Sequence, residues 1–253
     1  MVVKEKVNVI NGAESFYIGG NHIGVLLCHG FNGTPQSMTD IAHLLAKKGF
    51  TIFAPRLSGH GTAPSDLERF HYRDWINNIF TAYNQLKEKC SEIFIVGQSM
   101  GGALTLQLAA RERDIKGIYL LNPAINDVSY HIYKNKTSPA FIDEGKPDIK
   151  DKTVFEIAYD KVPIKAVNEL LSLMEDTESK VHEVSCPITI FKSTVDHVVP
   201  PSNSEFIYEH VQSKIKRVIP LHNSYHVASM DFEKDFIAEE IGTSIHHLLE
   251  NKQ

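Results

Sequence analysis

Ser99 lies at the centre of Gly97-Gln98-Ser99-Met100-Gly101, a G-x-S-x-G pentapeptide. A serine hydroxyl is a weak nucleophile until a neighbouring base takes its proton. The pentapeptide alone is a weak signal, because short glycine and serine patterns recur by chance. Its context is stronger. The apolar run Ile93-Phe94-Ile95-Val96 precedes it, and a leucine-containing helical pattern runs from Gly101 to Arg111. That is the strand–turn–helix setting in which a sharp turn lifts a serine above a sheet edge. Gly97 and Gly101 keep side chains out of such a turn, and Gly102 lets the backbone pack closely. A helix N-terminus at Ser99 favours developing negative charge. The chemistry suggested is acyl transfer; a serine that only caps a helix is the alternative.

A base and an acid must then be found. Thirteen histidines compete for the first role. In this architecture the acid follows a late strand and the base follows the last one. The strand-like run Ile188-Thr189-Ile190-Phe191 leads into a loop whose one carboxylate is Asp196. The last strand ends at Leu221, and the next loop holds His222 and His226. His222 abuts the strand end and reads as structural. His226 lies deeper in the loop and can reach back over the sheet edge. In this reading His226 takes the Ser99 proton, while Asp196 fixes the imidazole tautomer and stabilises the imidazolium. Two preplaced N–H donors are needed for the oxyanion. One is the N–H of Met100, directly after the nucleophile; the other is assigned to Phe31 in the loop His29-Gly30-Phe31-Asn32-Gly33. His60, in Gly59-His60-Gly61, reads as structural.

The elements that must carry these residues alternate along the chain. Ile23–Cys28 is a continuous apolar run, the pattern of a strand buried on both faces. Pro35 marks a helix start, with Met38, Ile41, Leu44 and Leu45 on one face. Phe50 to Ala54 is the next strand. Asp74 is read as capping a helix in which Trp75, Ile76, Ile79, Phe80, Tyr83 and Leu86 recur at helical spacing. Ile118 to Leu121, Ile188 to Phe191 and Lys216 to Leu221 are further strands. Ser202 to Val211 and Phe232 to Leu249 are further helices. This order predicts an α/β fold with a mostly parallel sheet and helices on both faces. The rhythm breaks between residues 124 and 180. No clear buried strand falls there, residues 143–152 are mostly charged or polar, and a helix with Ile164, Val167, Leu171 and Met174 on one face follows Pro163. Connections in such sheets are usually short. The expected organisation is a core of residues 1–123 and 181–253 with a small inserted cap, 124–180, over the carboxyl edge where ligands bind; an irregular surface excursion is the other reading.

Composition excludes several other classes. The chain has 253 residues, a formal charge of −5 and 42% hydrophobic residues, ordinary for a globular protein able to bury a full core. The short basic cluster Lys214, Lys216 and Arg217 is no nucleic-acid footprint, so no nucleic-acid partner is expected. Cys28, Cys90 and Cys186 are too far apart for a zinc motif or a disulfide framework and suggest reduced thiols. Met1–Lys6 lacks the apolar core of a signal segment. No apolar run approaches the roughly 18 residues of a membrane span. A cytoplasmic protein with no stable membrane insertion is expected. HExxH, GxxxxGK[ST] and a GxGxxG after the first strand are missing, so neither metal nor cofactor is implied.

Taken together, several stretches resemble the α/β-hydrolase superfamily, and within it the bacterial monoacylglycerol lipase and carboxylesterase group. They are His29-Gly30-Phe31 with Gly33-Thr34-Pro35, Pro55-Arg56-Leu57 with Gly59-His60-Gly61-Thr62, and Ser99-Met100-Gly101-Gly102. Asp196-His197-Val198-Val199-Pro200-Pro201 and Asn223-Ser224-Tyr225-His226-Val227-Ala228 complete the set. The resemblance covers nearly the whole chain. It implies a Ser99–Asp196–His226 triad and oxyanion donors at Phe31 and Met100. The cap is similar at Glu156, Ala158-Tyr159, Lys161 and Pro163. In the lipases it resembles, the glutamate at the Glu156 position contacts the glycerol moiety; a solvated helix charge is the other reading of Glu156. Gln98 stands where the group usually has Leu, and Asn32 where it usually has Thr. The expected activity is hydrolysis of monoacylglycerols or similar medium-chain esters. A thioesterase or other acyl hydrolase with the same triad, and a hydrolase-like ligand receptor without turnover, are the alternatives.

Overall fold

The apolar runs become the strands of one sheet in the computed structural model, which describes residues 8–126 and 129–250. The strands are β1 (Phe16–Ile18), β2 (Ile23–Cys28), β3 (Thr51–Ala54), β4 (Glu92–Gln98), β5 (Gly117–Leu121), β8 (Ile188–Ser193) and β9 (Lys216–Leu221); a separate pair, β6 (Phe141–Asp143) and β7 (Lys161–Pro163), lies between β5 and β8 in the chain. The sheet order is β1-β3-β2-β4-β5-β8-β9. Only β1 runs antiparallel to its neighbour; every other pairing in this sheet is parallel. The helices are α1 (Thr39–Lys47), α2 (Pro64–Leu67), α3 (Tyr72–Lys87), α4 (Met100–Arg111), α5 (Ile164–Glu178), α6 (Ser202–His210) and α7 (Lys234–Glu250).

Alternation along the strands sorts the core into two layers, because successive side chains point to opposite faces. Leu26, Ile93, Ile95, Ile118, Leu120 and Ile190 pack with α3, α4, α5 and α6. Val25, Leu27, Phe94, Val96, Tyr119 and Phe191 pack with α1 and α7 on the opposite face. Burial on both faces explains why β2 and β5 are apolar throughout rather than alternating. Parallel register puts the carboxyl ends of β2, β4, β5, β8 and β9 along one edge.

Local boundaries differ from the sequence expectation in instructive ways. Pro35 opens a 3-10 turn, Pro35–Met38, and the α-helix begins only at Thr39. Asp74 is not the cap of α3. His71 occupies that place, and Asp74 sits a turn in, where its carboxylate accepts the His71 N–H at 2.9 Å. Helix α7 starts at Lys234 rather than Phe232. Just before it, buried Asp231 is held in extended backbone and accepts four main-chain N–H groups, that of Phe232 among them. Within residues 124–180, β6 and β7 pair antiparallel, with Val162 fully buried. Three residues each are too few to show a period. Helix α5 packs on α3 and α4 and joins the main core. Met1–Lys6, inspected for a targeting signal, lies outside the described residues. Among the described residues, no helix is long and apolar enough to cross a membrane.

Candidate active site

Strand β4 runs directly into the turn that carries Ser99. Its backbone has φ 56° and ψ −119°, a region costly for any residue with a Cβ. The turn is crowded enough to require glycine on both sides. A methyl group on Gly101 would lie 2.1 Å from the Cys28 carbonyl oxygen, and one on Gly97 would lie 2.3 Å from the Gly101 carbonyl oxygen. Neither backbone can yield without moving β2 or α4. Ser99 is thereby held at the start of α4, above the carboxyl edge of the sheet.

Two loops bring the other candidates to it. His226, after β9, lies with Nε2 2.8 Å from Ser99 Oγ and Nδ1 2.8 Å from Asp196 Oδ2. Asp196, after β8, accepts the N–H groups of Val198 and Val199 on its other oxygen at 2.9 and 2.8 Å. Both side chains are almost wholly covered. Burial opposes charge on Asp196, yet the His226 hydrogen bond and charge, with the Val199 and Val198 N–H groups, hold its carboxyl below the ordinary carboxylate value. An ionised acid thus fixes the Nδ1–H tautomer of His226 and leaves Nε2 free to take a proton from Ser99.

The loop after β2 passes close by. A Cβ on Gly30 would lie 3.4 Å from that of Ser99, and Phe31 and Met100 both line the cavity that Ser99 faces. This loop rests on two buried histidines. His29 Nδ1 donates to the Gly30 carbonyl at 2.9 Å, and its Nε2 accepts the Leu57 N–H at 3.2 Å. Burial pulls the His29 imidazole down to about 4, with Arg56 adding to the effect, so it stays neutral. Burial and the neighbouring His29 likewise hold His60 well below the ordinary histidine value. The Phe31 ring meets those of His60, Trp75 and Tyr130 edge-on. His60 therefore braces the loop and takes no position beside Ser99, as the sequence suggests. His222 is exposed, with its N–H on Glu233.

The cavity has a volume of about 200 Å³. Leu170 and Met174 of α5, with Ala124 and Val199, give it an apolar wall; Glu144, Asp148 and Glu156 stand among the polar residues of its lining. Glu156 is placed by two amide side chains. Gln36 donates to the Phe155 carbonyl and accepts the Ile157 N–H at 2.7 and 3.1 Å. Asn32 donates to the Tyr159 carbonyl and accepts the Tyr159 N–H, both at 2.9 Å. Between these supports the Glu156 carboxyl turns toward Gly33, where an added Cβ would come within 2.8 Å of its Oε1. Glu156 is half-buried and lines the cavity. Burial pushes its carboxyl up to about 7, against the opposing effects of His226 and a hydrogen bond with Ser37.

Several residues at this edge carry no motif signal. Gln98 Nε2 donates to the carbonyls of His226 and Leu121 at 2.8 and 3.3 Å, and its Oε1 accepts the Ser229 N–H at 3.4 Å. Asn122 Nδ2 lies within hydrogen-bond reach of the His226 and Tyr225 carbonyls and of Ser193 Oγ. Ser193 in turn donates to the Tyr225 carbonyl at 2.9 Å. The ends of β4, β5 and β8 thus grip the main chain beneath His226. Position alone could have singled these residues out, since each follows or ends a central strand. Among the described residues, no group of three or more His, Cys, Asp or Glu is arranged to hold a metal.

Comparison with known proteins agrees with this architecture. The family model described as serine aminopeptidase, S33, matches residues 21–140 and 150–233. The thermostable monoacylglycerol lipase of Bacillus sp. (strain H-257) is 41% identical over 239 residues, covering 94% of this chain and 96% of that protein. The carboxylesterase of Bacillus subtilis (strain 168) is 28% identical over 236 residues, covering 90% and 94%. A solved chain from LipS and LipT, two metagenome-derived lipolytic enzymes, superposes with a TM-score of 0.90 at 38% identity, covering 96% of this chain and all of that one. On its sequence, its strand order and its strand–turn–helix at Ser99, the chain belongs to the serine aminopeptidase S33 family of α/β-hydrolases.

Proposed function

We propose that this chain is a carboxylic ester hydrolase that cleaves monoacylglycerols or similar medium-chain esters through an acyl intermediate on Ser99. The observation that carries the reading is the unbroken line of 2.8 Å contacts from Ser99 through His226 to Asp196, at the wall of a cavity. His226 takes the hydroxyl proton as Ser99 Oγ attacks the ester carbonyl. The N–H groups of Phe31 and Met100 receive the oxyanion. His226 then gives its proton to the departing alcohol oxygen. A water molecule, deprotonated by the same imidazole, attacks the acyl carbonyl; the acyl–Oγ bond breaks, His226 returns the proton to Ser99 Oγ, and the acid leaves.

The segment 124–180 acts as the cap of this site. Leu170 and Met174 face the acyl chain, and Glu156 binds the hydroxyls of the alcohol. A carboxyl pushed up to about 7 suits that task, since its neutral form both donates to and accepts from a hydroxyl. Free Cys28, Cys90 and Cys186 suit a reducing compartment, and we place the protein in the cytoplasm.

Fluorophosphonate labelling joined to a substrate panel tests the reading. The wild type labels at Ser99 and turns over monoacylglycerols faster than triacylglycerols or thioesters, and Ser99→Ala does neither. A labelled, hydrolytic Ser99→Ala protein excludes Ser99 as nucleophile. Thioester preference assigns the site to a different acyl hydrolase, and tight binding without turnover assigns it to a receptor.

A further inference from the structure

The polar stretch 143–152 has no part in the chemistry above, yet one of its carboxylates reaches both loops that carry the acid and the base. Asp148 Oδ2 accepts the main-chain N–H of His226 at 3.2 Å and that of His197 at 3.1 Å. Asp148 Oδ1 lies 2.9 Å from His197 Nδ1. Its own carbonyl accepts the Val227 N–H at 3.1 Å. His197 directly follows Asp196 in the chain, so one side chain, 15% exposed, spans from the neighbour of the acid to the base itself. The His197 ring also meets Tyr225 edge-on, with centroids 4.7 Å apart.

The segment that carries Asp148 is fixed from the other side. Buried Asp231 accepts the N–H groups of Lys150 and Asp151 at 2.8 and 3.0 Å, and that of Tyr225 at 2.9 Å. Residues 148–151 are therefore stitched to the base loop by one carboxylate of their own and one from the core. The two loops need this support, because 194–201 and 222–227 are otherwise irregular backbone. A main-chain donor that loses its partner is costly. The reaction is also sensitive to small displacements, with about 1 Å of misplacement costing about a hundredfold in rate.

We propose that Asp148 is a positioning residue for hydrolysis. It holds the Asp196 and His226 loops in register, so that the triad is complete only while the 148–151 strap is docked. This rests on the reading of Ser99, His226 and Asp196 as the catalytic triad. Asparagine at 148 preserves the hydrogen bonds. Its amide oxygen accepts both main-chain N–H groups, and its amide nitrogen donates to His197 Nδ1 once that imidazole carries its proton on Nε2. Alanine preserves none of them, and glutamate keeps the charge but moves it by one methylene.

The test is kcat and KM on a soluble nitrophenyl ester for the wild type, Ser99→Ala, Asp148→Ala, Asp148→Asn and Asp148→Glu. Asp148→Ala lowers kcat by about tenfold or more with KM within about twofold, Asp148→Glu falls similarly, and Asp148→Asn returns to within about threefold of wild type. Wild-type kcat in Asp148→Ala, or a change in KM alone, overturns the proposal. So does an Asp148→Asn protein as slow as Asp148→Ala, since that assigns the effect to charge. If Asp148→Ala does not fold, Asp148→Glu decides, and wild-type kcat there is equally fatal. Turnover by Ser99→Ala would remove the triad reading itself; an inert Ser99→Ala beside an unaffected Asp148→Ala removes only this proposal.

Discussion

Gln98 and His226 are joined by a 2.8 Å hydrogen bond from the Gln98 side chain to the His226 carbonyl, so the residue before the candidate nucleophile holds the main chain of the candidate base. Leucine, usual at this position in the resembled group, cannot make this bond. Asn122 also donates to the same carbonyl, which makes Gln98 one of two supports. Gln98→Leu removes one of the two side-chain bonds to that carbonyl, along with the Gln98 bonds to Leu121 and Ser229; the lost support of His226 is worth about 1 kcal/mol, and kcat falls about fivefold with KM unchanged. Steady-state kinetics on one soluble ester suffice to check this. An unchanged kcat would mean that Asn122 and Asp148 hold the loop without Gln98.

The backbone of Ser99 makes a prediction about stability rather than rate. Its φ of 56° and ψ of −119° store about 1–3 kcal/mol, which only glycine releases. Glycine's extra freedom in the unfolded chain takes back about 0.5–1 kcal/mol. Ser99→Gly and Ser99→Ala both lose the hydroxyl and its bond to His226, so comparing them isolates the backbone. Ser99→Gly is expected to be the more stable by about 1 kcal/mol in urea denaturation. Identical midpoints would show that the strain stored at this turn is no larger than the about 0.5–1 kcal/mol that glycine loses through the unfolded chain.

Glu156 sets a pH dependence with a definite sign. The folded protein holds the Glu156 proton up to about pH 7, whereas the unfolded chain releases it near 4.5, the ordinary glutamate value. Below pH 4 both states are protonated and the group contributes nothing. As pH rises from 4.5 to 7 the native state binds more protons than the unfolded state, so stability falls and then levels off above 7. The full effect is on the order of 3 kcal/mol. Glu156→Gln cannot ionise, so its stability relative to wild type should be greater at pH 8 than at pH 5. Denaturant midpoints at the two pH values measure it, and an equal difference at both contradicts the raised value.

Much of the sheet was legible because burial on both faces leaves continuous apolar runs. Ile23–Cys28 and Ile93–Val96 needed no tertiary information. The turn at Ser99 was legible for another reason. Its glycines are forced by contacts as close as 2.1 Å, and such crowding narrows the permitted sequence to a recognisable pattern. Asp196 and His226 followed from strand order. The three-residue strands β6 and β7 left no period to read. Asp74 misled because a carboxylate suits both the cap of a helix and its first turn. The roles of Gln98, Asn122 and Asp148 were hidden for a deeper reason: each bonds to main-chain groups of another loop, and main-chain partners leave no trace in residue types, so Gln98 showed only as a departure from the resembled group and Asn122 only as a position after a strand. Glu156 stood in between, since its neighbours in sequence carried a local similarity but its enclosure depends on Gly33, distant in the chain.

The paired amides of Asn32 and Gln36 have a consequence for how such enzymes diversify. Each binds the backbone of residues 155–159 through both its donor and its acceptor, as a neighbouring strand would. Residues 32–36 and 155–159 thus form one heritable unit, although about 120 positions separate them. A chimera that takes its Glu156 segment from a relative should inherit positions 32 and 36 from the same parent, and recombination between these stretches is where mismatched hybrids will arise.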